Sequence, residues 1–369
     1  MSTGNALLDD CVTHLRALVS YDTQNPPRAI GTGGIFDYLQ TQLPGFRHCV
    51  TDFGAGAVSL YSVRGKPRFL INVHLDTVPA TPTWTRDPFD LLVTADRAIG
   101  MGACDIKGAA AAMVAAARAC DGDCAFLFSS DEEANDARCI AGFLRDKPAF
   151  DAVLVAEPTR AEAVLAHRGI SSVRMRFAGR AGHASAVSAA SDSAVHQALR
   201  WGERALAHVE SLAHHRFGGL TGLRFNIGRI EGGIKANVIA PSCEVRFGFR
   251  PLPTQAIDEL LETFRTLGPA LPAEFEPTFS GASLPAGDTA AAETRRLAAR
   301  DVADELGLTI GNAVDFWTEA ALFSAAGYTS LVYGPGDIAQ AHSADEWVAL
   351  DQLLDVTQSY ARIIAHGRP

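Results

Sequence analysis

The sequence lacks the features of a secreted or membrane-spanning protein. Only seven of its 369 residues are cysteine, and no Cys-x-x-Cys pair occurs among them. The odd number and scattered positions argue against a disulfide framework or a zinc ribbon and favour reduced thiols. No apolar run is long enough to cross a bilayer, and the N-terminus has no basic stretch followed by an apolar core. We therefore predict a cytoplasmic protein that has no membrane partner.

Positive charge is also scarce. Lysine and arginine number 32 against 42 acidic residues, which gives a formal net charge of -10, and no Lys/Arg-rich run is present. A nucleic-acid-binding surface needs clustered basic residues, so we expect no nucleic-acid partner. The hydrophobic content of 47% and charged content of 20% are those of a globular protein. The length exceeds the size at which one core usually keeps growing, so we predict two domains.

Strand and helix patterns alternate in the first part of the chain and again at its end. Three apolar runs, at 69–75, 124–129 and 152–156, read as buried strands, and helical periodicities lie between most of them. This alternation predicts an α/β fold with a doubly wound, mostly parallel sheet.

The pattern changes at residue 169. From there to residue 281 the sequence predicts a compact α+β unit with strands at 171–178, 223–230, 236–250 and 273–279 and helices at 192–209 and 255–266. The predicted organisation is a catalytic domain formed by residues 1–168 and 282–369, into which a second domain, residues 169–281, is inserted.

Six side chains that can bind a metal ion lie at or just beyond predicted strand ends. They are His74, Asp105, Glu132, Glu133, Glu157 and His342. In open α/β sheets, ligands bind outside the carboxyl ends of the strands. Imidazole and carboxylate donors without thiolate suit a catalytic Zn²⁺, Co²⁺ or Mn²⁺ site. Two metal ions about 3.5–4 Å apart need one bridging carboxylate, so five of the six residues suffice and the sixth is left free as a base.

Each of these residues also has a simpler explanation when it is taken alone. Glu132 and Glu133 could form a solvated acidic turn, Glu157 could be a carboxylate placed before a proline, and His342 could be an exposed loop residue. The His74-x-Asp76 pair is weak evidence by itself, although Asp76 is spaced to orient the imidazole as carboxylates do beside metal-bound histidine. The hypothesis of a metal centre depends on the combination.

Seven motifs in order make the sequence resemble the M20 family of dinuclear metallo-aminohydrolases. They are His74-Leu-Asp76, Gly102-Ala-Cys-Asp105-Ile-Lys-Gly108, Asp131-Glu-Glu133, Glu157-Pro-Thr159, Gly182-His183-Ala-Ser185, Asn237-Val-Ile and Ala341-His342-Ser-Ala-Asp-Glu346. The motifs cover nearly the whole chain. Thr318-Glu-Ala, Tyr333-Gly-Pro-Gly and the last of the seven motifs are most similar to the acetylornithine deacetylase branch, which includes N-acetylcitrulline deacetylases.

The resemblance implies a role for each predicted site residue in the catalytic domain. Asp105 would bridge two metal ions, His74 and Glu157 would complete one site, and Glu133 and His342 would complete the other. Glu132 would be the general base and acid, and Asp76 would hold His74. The implied cofactor is Zn²⁺ or Co²⁺, one or two ions per subunit, and the peptide bond after Asp105 is expected to be cis.

The inserted domain resembles the lid and dimerisation domain of the family, which implies a homodimer. His183 would reach the active site of the partner subunit and stabilise the oxyanion, while Asn237 and Arg250 would hold the α-carboxylate of the substrate. Relatives usually carry an Asp two positions before that arginine, where this chain has Gly248. His167 is left without an assigned role.

The activity implied is hydrolysis of the acetamide of N-acetyl-L-citrulline or N-acetyl-L-ornithine to acetate and the free amino acid, in arginine biosynthesis. Two alternatives remain at this point. One is another M20 amidohydrolase, such as a succinyl-diaminopimelate desuccinylase, an aminoacylase or a dipeptidase. The other is a metal-free binding protein that has the same fold and no catalytic activity.

Overall fold

The computed structural model describes residues 3–134 and 136–366. The chain forms two compact units. Unit 1 comprises Met1–Leu165, Thr294–Gly311 and Thr318–Pro369, and unit 2 comprises Ala166–Glu293 and Asn312–Trp317. The assignment of catalysis to one domain and of a lid to the other stays a prediction. Among the described residues, no helix is long and apolar enough to span a membrane.

Unit 1 is built on a sheet of six strands. The strands are β1 (Arg47–Asp52), β2 (Val58–Arg64), β3 (Phe69–His74), β6 (Cys124–Ser129), β7 (Ala152–Val155) and β14 (Thr329–Val332), in the order β1-β2-β6-β3-β7-β14. The last four in this order are mutually parallel, and β1 and β2 add an antiparallel edge. This confirms the prediction of a mostly parallel sheet.

Helices and a small second sheet complete unit 1. The helices are α1 (Thr3–Val19), α2 (Ile35–Gln42), α3 (Lys107–Ala119), α4 (Arg138–Leu144), α8 (Ala292–Glu305, whose first residues lie in unit 2), α9 (Ala320–Ala325) and α10 (Leu350–His366), with a 3-10 turn at Ile338–Gln340. The small antiparallel sheet contains β4 (Leu92–Val93), β5 (Arg97–Ile99) and β15 (Trp347–Ala349).

Both faces of the six-stranded sheet are covered. Because side chains alternate along a strand, Phe126 and Phe128 of β6 face the same side, where they join the main core together with α1, α3 and α10. On the opposite side the ring of Tyr61 packs against Phe143 of α4, which packs against Phe323 of α9. Helices on both faces are the arrangement predicted for a doubly wound α/β fold.

Unit 2 has a four-stranded antiparallel sheet with helices on one face. The strands, in the order β11-β12-β8-β13, are Arg224–Gly232, Ser242–Arg250, Ile170–Ala178 and Glu274–Gly281. The other elements are α5 (Ala189–Asp192), α6 (Ala194–Ser211), α7 (Ile257–Thr266), a 3-10 turn at Thr289–Ala291, and the short strands β9 (Arg216–Phe217) and β10 (Leu220–Thr221). Trp201 of α6 packs on Phe247 of β12 and donates a hydrogen bond to the carbonyl of Phe264 in α7.

Three details differ from the sequence prediction. The strand predicted at 236–250 is wrong at its beginning, because β12 begins at Ser242, directly after Pro241, which has no N–H to give to a strand ladder. The edge strand β1 was not predicted, because its residues are only partly buried and give no clear apolar alternation. The short helix α4 also escaped prediction.

Arg168 holds several parts of unit 2 together from a fully buried position. Its guanidinium forms an ion pair with Asp315. It also donates hydrogen bonds to the carbonyl oxygens of Thr221 at 2.8 Å, Gly222 at 2.6 Å and Arg250 at 3.3 Å. The cation is therefore satisfied by one carboxylate and three backbone carbonyl oxygens.

Replacing Arg168 by Ala should destabilise the protein, because it removes the hydrogen-bond donors of these carbonyl groups from a buried position. The expected loss in the free energy of unfolding is about 1–3 kcal/mol for each buried acceptor left unsatisfied, and the ion pair adds little because the side chain of Asp315 is 56% exposed. Urea denaturation followed by near-UV circular dichroism measures it. Arg200→Ala, at an exposed position of α6, is the matched control and should change stability by less than about 0.5 kcal/mol. Equal stabilities of the two variants would contradict this account.

Candidate metal centre

Four of the five predicted ligands lie at the end of a strand of the six-stranded sheet or in the loop that follows one. His74 is the last residue of β3, Glu133 follows β6, Glu157 follows β7, and His342 lies in the loop after β14. These four strands are parallel, so their carboxyl ends lie at the same edge of the sheet. The fold therefore brings together groups that are far apart in the sequence.

Asp105 lies between the two histidines and offers one carboxylate oxygen to each. Its Oδ1 is 3.0 Å from Nε2 of His74, and its Oδ2 is 3.3 Å from Nε2 of His342. Nε2 of His342 is also 2.9 Å from Oε1 of Glu133, and Nε2 of His74 is 3.9 Å from Oε1 of Glu157. The five predicted ligands thus form two groups that share Asp105.

Each group is compact enough to hold one cation. Within His74, Asp105 and Glu157, and within Asp105, Glu133 and His342, the candidate ligand atoms all lie within 4.8 Å of one another. The first group is buried, and in the second group His342 is exposed. Three carboxylates at this depth are costly unless positive charge compensates them. A pair of divalent cations with nitrogen and oxygen ligands fits this donor set.

The protonation of the two histidines reflects their carboxylate neighbours. Hydrogen bonds to Asp105 and Glu133 raise the pKa of His342 to about 10. Burial by itself lowers the pKa of His74, but the hydrogen bonds to Asp105 and Asp76 outweigh it and raise that pKa well above its ordinary value. Without a metal ion, both imidazoles therefore hold a proton at neutral pH.

Glu132 belongs to neither group of candidate ligands. Burial raises the pKa of its carboxyl group well above the ordinary value; the carboxylates of Glu133 and Glu319 raise it further, and His74 opposes them. A group that must take up and return a proton near neutral pH works best with a raised carboxyl pKa. This environment suits the predicted role of general base and acid.

Asp76 contacts one residue of each ligand group, His74 of the first and Glu133 of the second. Nδ1 of His74 is 3.0 Å from the backbone carbonyl of Asp76 and 3.5 Å from its Oδ1, so the nearer acceptor is the carbonyl. The other carboxylate oxygen accepts hydrogen bonds from Nδ2 of Asn25 at 2.8 Å and from the backbone N–H of Glu133 at 3.0 Å. Asp76 therefore fixes the backbone of Glu133 as well as the orientation of His74.

Glu346, the last residue of the Ala341–Glu346 motif, is a supporting residue for which the sequence predicted no role. Its buried carboxylate accepts backbone N–H bonds from Gly102 at 3.1 Å, Cys104 at 2.8 Å and Asp105 at 2.8 Å. It therefore fixes the loop that presents Asp105. The peptide bond from Asp105 to Ile106 is cis, as the resemblance implied.

Two further supporting residues, Asn25 and Glu319, were given no role from the sequence, although Glu319 lies in the Thr318-Glu-Ala motif. Asn25 lies in a turn next to two prolines, where an amide is ordinarily a turn residue, yet it is buried and bonds Asp76. Glu319 is also buried and accepts hydrogen bonds from two strands of the sheet. Their partners are 51 and 190 or more positions away, which no local pattern shows.

The three remaining predicted site residues belong to unit 2. His183 is exposed, its Nδ1 is 2.7 Å from the hydroxyl of Ser185, and a β-bridge pairs it with Val238. Asn237 is the neighbour of Val238 in sequence, so His183 and Asn237 lie close together. Arg250 ends β12 and is half-buried. The roles predicted for the three residues stay predictions.

Comparison with known proteins relates this chain to a family of metal-dependent hydrolases. The profile of peptidase family M20/M25/M40 matches residues 70–366, a range that includes all five candidate ligands. An N-acetyl-L-citrulline deacetylase from Xanthomonas campestris pv. campestris is 69% identical over 359 residues, which cover 97% of this chain and 98% of the relative. An acetylornithine deacetylase from Myxococcus xanthus is 30% identical over 366 residues, with 90% and 91% covered.

Solved structures share the fold at low sequence identity. The aminopeptidase PepT from Bacillus cereus superposes with a TM-score of 0.72 at 17% identity, over 97% of this chain and 98% of its own. A dinuclear metal-binding peptidase of the M20 family from Bacillus subtilis gives a TM-score of 0.63 at 15% identity, over 98% and 99%. At these identities the likeness is one of fold.

Binding of a divalent cation should release protons from this centre. A histidine must be neutral to coordinate a metal ion, and His342, with its pKa near 10, is protonated at neutral pH. For each proton displaced, the apparent affinity for Co²⁺ should rise about tenfold for every unit by which the pH increases, up to that pKa. Calorimetric titration of the metal-free protein with Co²⁺, in two buffers of different ionisation enthalpy, counts the protons. His342→Gln should release fewer, and an observed heat that does not depend on the buffer would contradict the prediction.

Proposed function

Because the chain belongs to peptidase family M20/M25/M40, we propose that it hydrolyses the acetamide bond of N-acetyl-L-citrulline to acetate and citrulline in arginine biosynthesis. The observation that carries the proposal is the pair of ligand groups sharing Asp105, in a chain highly similar along its length to an N-acetyl-L-citrulline deacetylase. N-acetyl-L-ornithine is the second candidate substrate, because more distant relatives are acetylornithine deacetylases.

The metal ligands in this proposal are the five residues of the two groups. His74 and Glu157 would hold one cation, Glu133 and His342 would hold the other, and both groups include Asp105. Zn²⁺ or Co²⁺ suits the donors. Such cations would polarise the acetamide carbonyl and make an attacking water more acidic. Asp76 and Glu346 contribute by holding Glu133 and Asp105 through their backbone N–H groups.

Glu132 carries the proton in the proposed reaction. It takes a proton from the attacking water as the oxygen bonds to the acetamide carbon, and it gives a proton to the nitrogen as the C–N bond breaks. Acetate and the free amine leave. A setting that favours the neutral form of Glu132 suits a group that must keep the proton until the amine departs.

Unit 2 supplies the substrate-binding part of the proposal. By the resemblance, His183 stabilises the oxyanion in the partner subunit of a homodimer formed through residues 169–281, and Asn237 and Arg250 hold the α-carboxylate. The environment of Arg250 supports the carboxylate-binding role, because this half-buried guanidinium forms no ion pair with the described residues and is available to a carboxylate ligand. A cytoplasmic location is also part of this proposal.

The charges around Arg250 are mostly compensated. A cavity of about 630 Å³ on the polar sheet face of unit 2 has four charged residues in its described lining, Arg174, Arg224, Arg246 and Arg250. Ion pairs join Arg174 to Glu276, Arg246 to Glu244 and Arg224 to Asp315. The charge of this cavity therefore does not choose between the neutral ureido group of citrulline and the cationic amine of ornithine. The preference for citrulline in this proposal comes from the 69% identity to an N-acetyl-L-citrulline deacetylase.

A panel assay tests the substrate. With the metal-loaded enzyme, kcat/KM for N-acetyl-L-citrulline should exceed that for N-acetyl-L-ornithine by about tenfold or more, because a site that hydrogen-bonds a polar substrate group discriminates strongly against an analogue that lacks it. N-acetyl-L-methionine and N-succinyl-diaminopimelate test the aminoacylase and desuccinylase alternatives. Faster hydrolysis of any of the other three compounds would reassign the substrate. Release of no acetate from any N-acetyl amino acid would refute the deacetylase.

Glu132→Gln tests the proposed proton carrier. The amide keeps the size of the side chain but does not take up the proton, so kcat should fall by about 10²–10⁴-fold. Metal content, measured by elemental analysis, should stay unchanged because Glu132 belongs to neither ligand group. Glu305→Gln, an exposed carboxylate of α8, is the control. Retained activity in Glu132→Gln, or loss of metal along with activity, would show that the role is wrong.

A further inference from the structure

Glu319 is a buried carboxylate that the proposed reaction does not use. It precedes α9 on the covered sheet face opposite the main core and is almost fully buried. Its Oε2 accepts two hydrogen bonds, from Nδ2 of Asn72 at 2.7 Å and from Oγ of Ser129 at 3.0 Å. The two donors lie on different strands, so the carboxylate bridges β3 and β6.

The bridge lies at the carboxyl end of both strands, where the candidate ligands begin. Ser129 is the last residue of β6 and pairs directly with His74, the last residue of β3. Asn72 is two positions before His74 on the same strand, so the two side chains point to the same face of the sheet, opposite to that of Val73. After Ser129 the chain runs within four residues to Glu133. Glu319 thus joins the strand that ends in His74 to the strand that leads to Glu133.

This placement is costly if it serves stability alone. The other carboxylate oxygen, Oε1, has no hydrogen-bond partner among the described residues. Glu319 directly precedes the buried residues Ala320 and Ala321 of α9; burial raises the pKa of its carboxyl group, and the carboxylate of Asp131 raises that pKa further. An apolar side chain of similar volume would often be as stable or more stable at such a position. Ionisable groups in a strongly perturbing environment are found more often at functional sites.

Resting on the proposed function, we propose that Glu319 is a positioning residue of the metal centre, which holds the ends of β3 and β6 in register through Asn72 and Ser129. It touches neither metal nor substrate. Its contribution is to keep the separation between His74 on one strand and the Glu132-Glu133 turn on the other. Removal of a residue that holds a metal ligand in place typically changes metal affinity or activity by about 10- to 100-fold.

An exchange of hydrogen-bonding partners tests this role. Glu319→Ala removes the acceptor, and Asn72→Asp places two carboxylates face to face, so each should weaken Co²⁺ binding and lower kcat by about 10- to 100-fold. The double variant Asn72→Asp/Glu319→Gln restores the bond with its direction reversed, because the Gln amide N–H donates to Asp, and it should recover most of both losses. Glu319→Gln alone keeps an acceptor for both donors and should stay within about threefold of the unaltered protein.

Two readouts separate positioning from simple stabilisation. Co²⁺ affinity by calorimetry and the visible spectrum of the Co²⁺-loaded protein report the ligand geometry without any substrate, so they test Glu319 even if the deacetylase assignment fails. Thermal unfolding of the metal-free variants reports stability. Thr357→Val, which removes a buried hydroxyl from α10 in the main core of unit 1, is the control and should lower the melting temperature without changing the Co²⁺ spectrum.

The outcomes are distinct. Weaker Co²⁺ binding and an altered spectrum in Glu319→Ala and Asn72→Asp, with recovery in the exchanged pair, support the proposal. Unchanged Co²⁺ affinity in Glu319→Ala, with only a lower melting temperature, overturns it in favour of a structural role. Loss of affinity in Glu319→Gln also overturns it, because the charge and not the bridge would then matter. If Glu319→Ala does not fold, the comparison of Asn72→Asp with the double variant decides, and failure to recover refutes the proposal.

Discussion

The candidate centre depends on one shared carboxylate. Asp105 offers Oδ1 to His74 and Oδ2 to His342, so its position sets the separation of the two ligand groups. A carboxylate spans only a short distance between its two oxygens, and a shift of the backbone by a few tenths of an ångström would favour one group over the other. This is why the loop before Asp105 is fixed by three backbone N–H bonds to a buried carboxylate, that of Glu346.

The same device recurs around the centre. Asp76 fixes the backbone of Glu133, Glu346 fixes that of Asp105, and Glu319 joins the strands beneath His74. In each case a buried carboxyl group that is not itself a candidate ligand accepts N–H or O–H bonds from the backbone or the strands that carry the ligands. Burial disfavours the charged form of these supporting groups and raises the pKa of Glu319 to about 7 and that of Glu346 to about 8. The carboxylates next to the two histidines raise the pKa of both imidazoles in the metal-free protein.

The sequence predicted those parts of the fold and site whose signals are local. An apolar run that ends in a donor residue, as at His74, shows both the strand and the ligand, because burial and chemistry occur within a few residues. The roles of the supporting residues have no such local signal, since Asn25, Glu319 and Glu346 meet partners far away in the sequence. Glu346 does so through backbone groups, which are common to every residue. The edge strand β1 was missed for a related reason, because partial burial leaves little periodicity to read.

Under the proposed function, chemistry and selectivity belong to different units of the chain. The candidate ligands of unit 1 come from strand ends that any member of the fold can supply, so they indicate a reaction class and do not indicate a substrate. Unit 2 carries its distinctive charges on the face of an antiparallel sheet, where Arg246 and Arg250 alternate with core residues of β12 and Gly248 lies between them. A single substitution on that face changes the charge of the cavity without disturbing the core behind it, because neighbouring residues of a strand point to opposite sides. Substrate preference can therefore diverge among relatives while the donors of the metal centre stay the same.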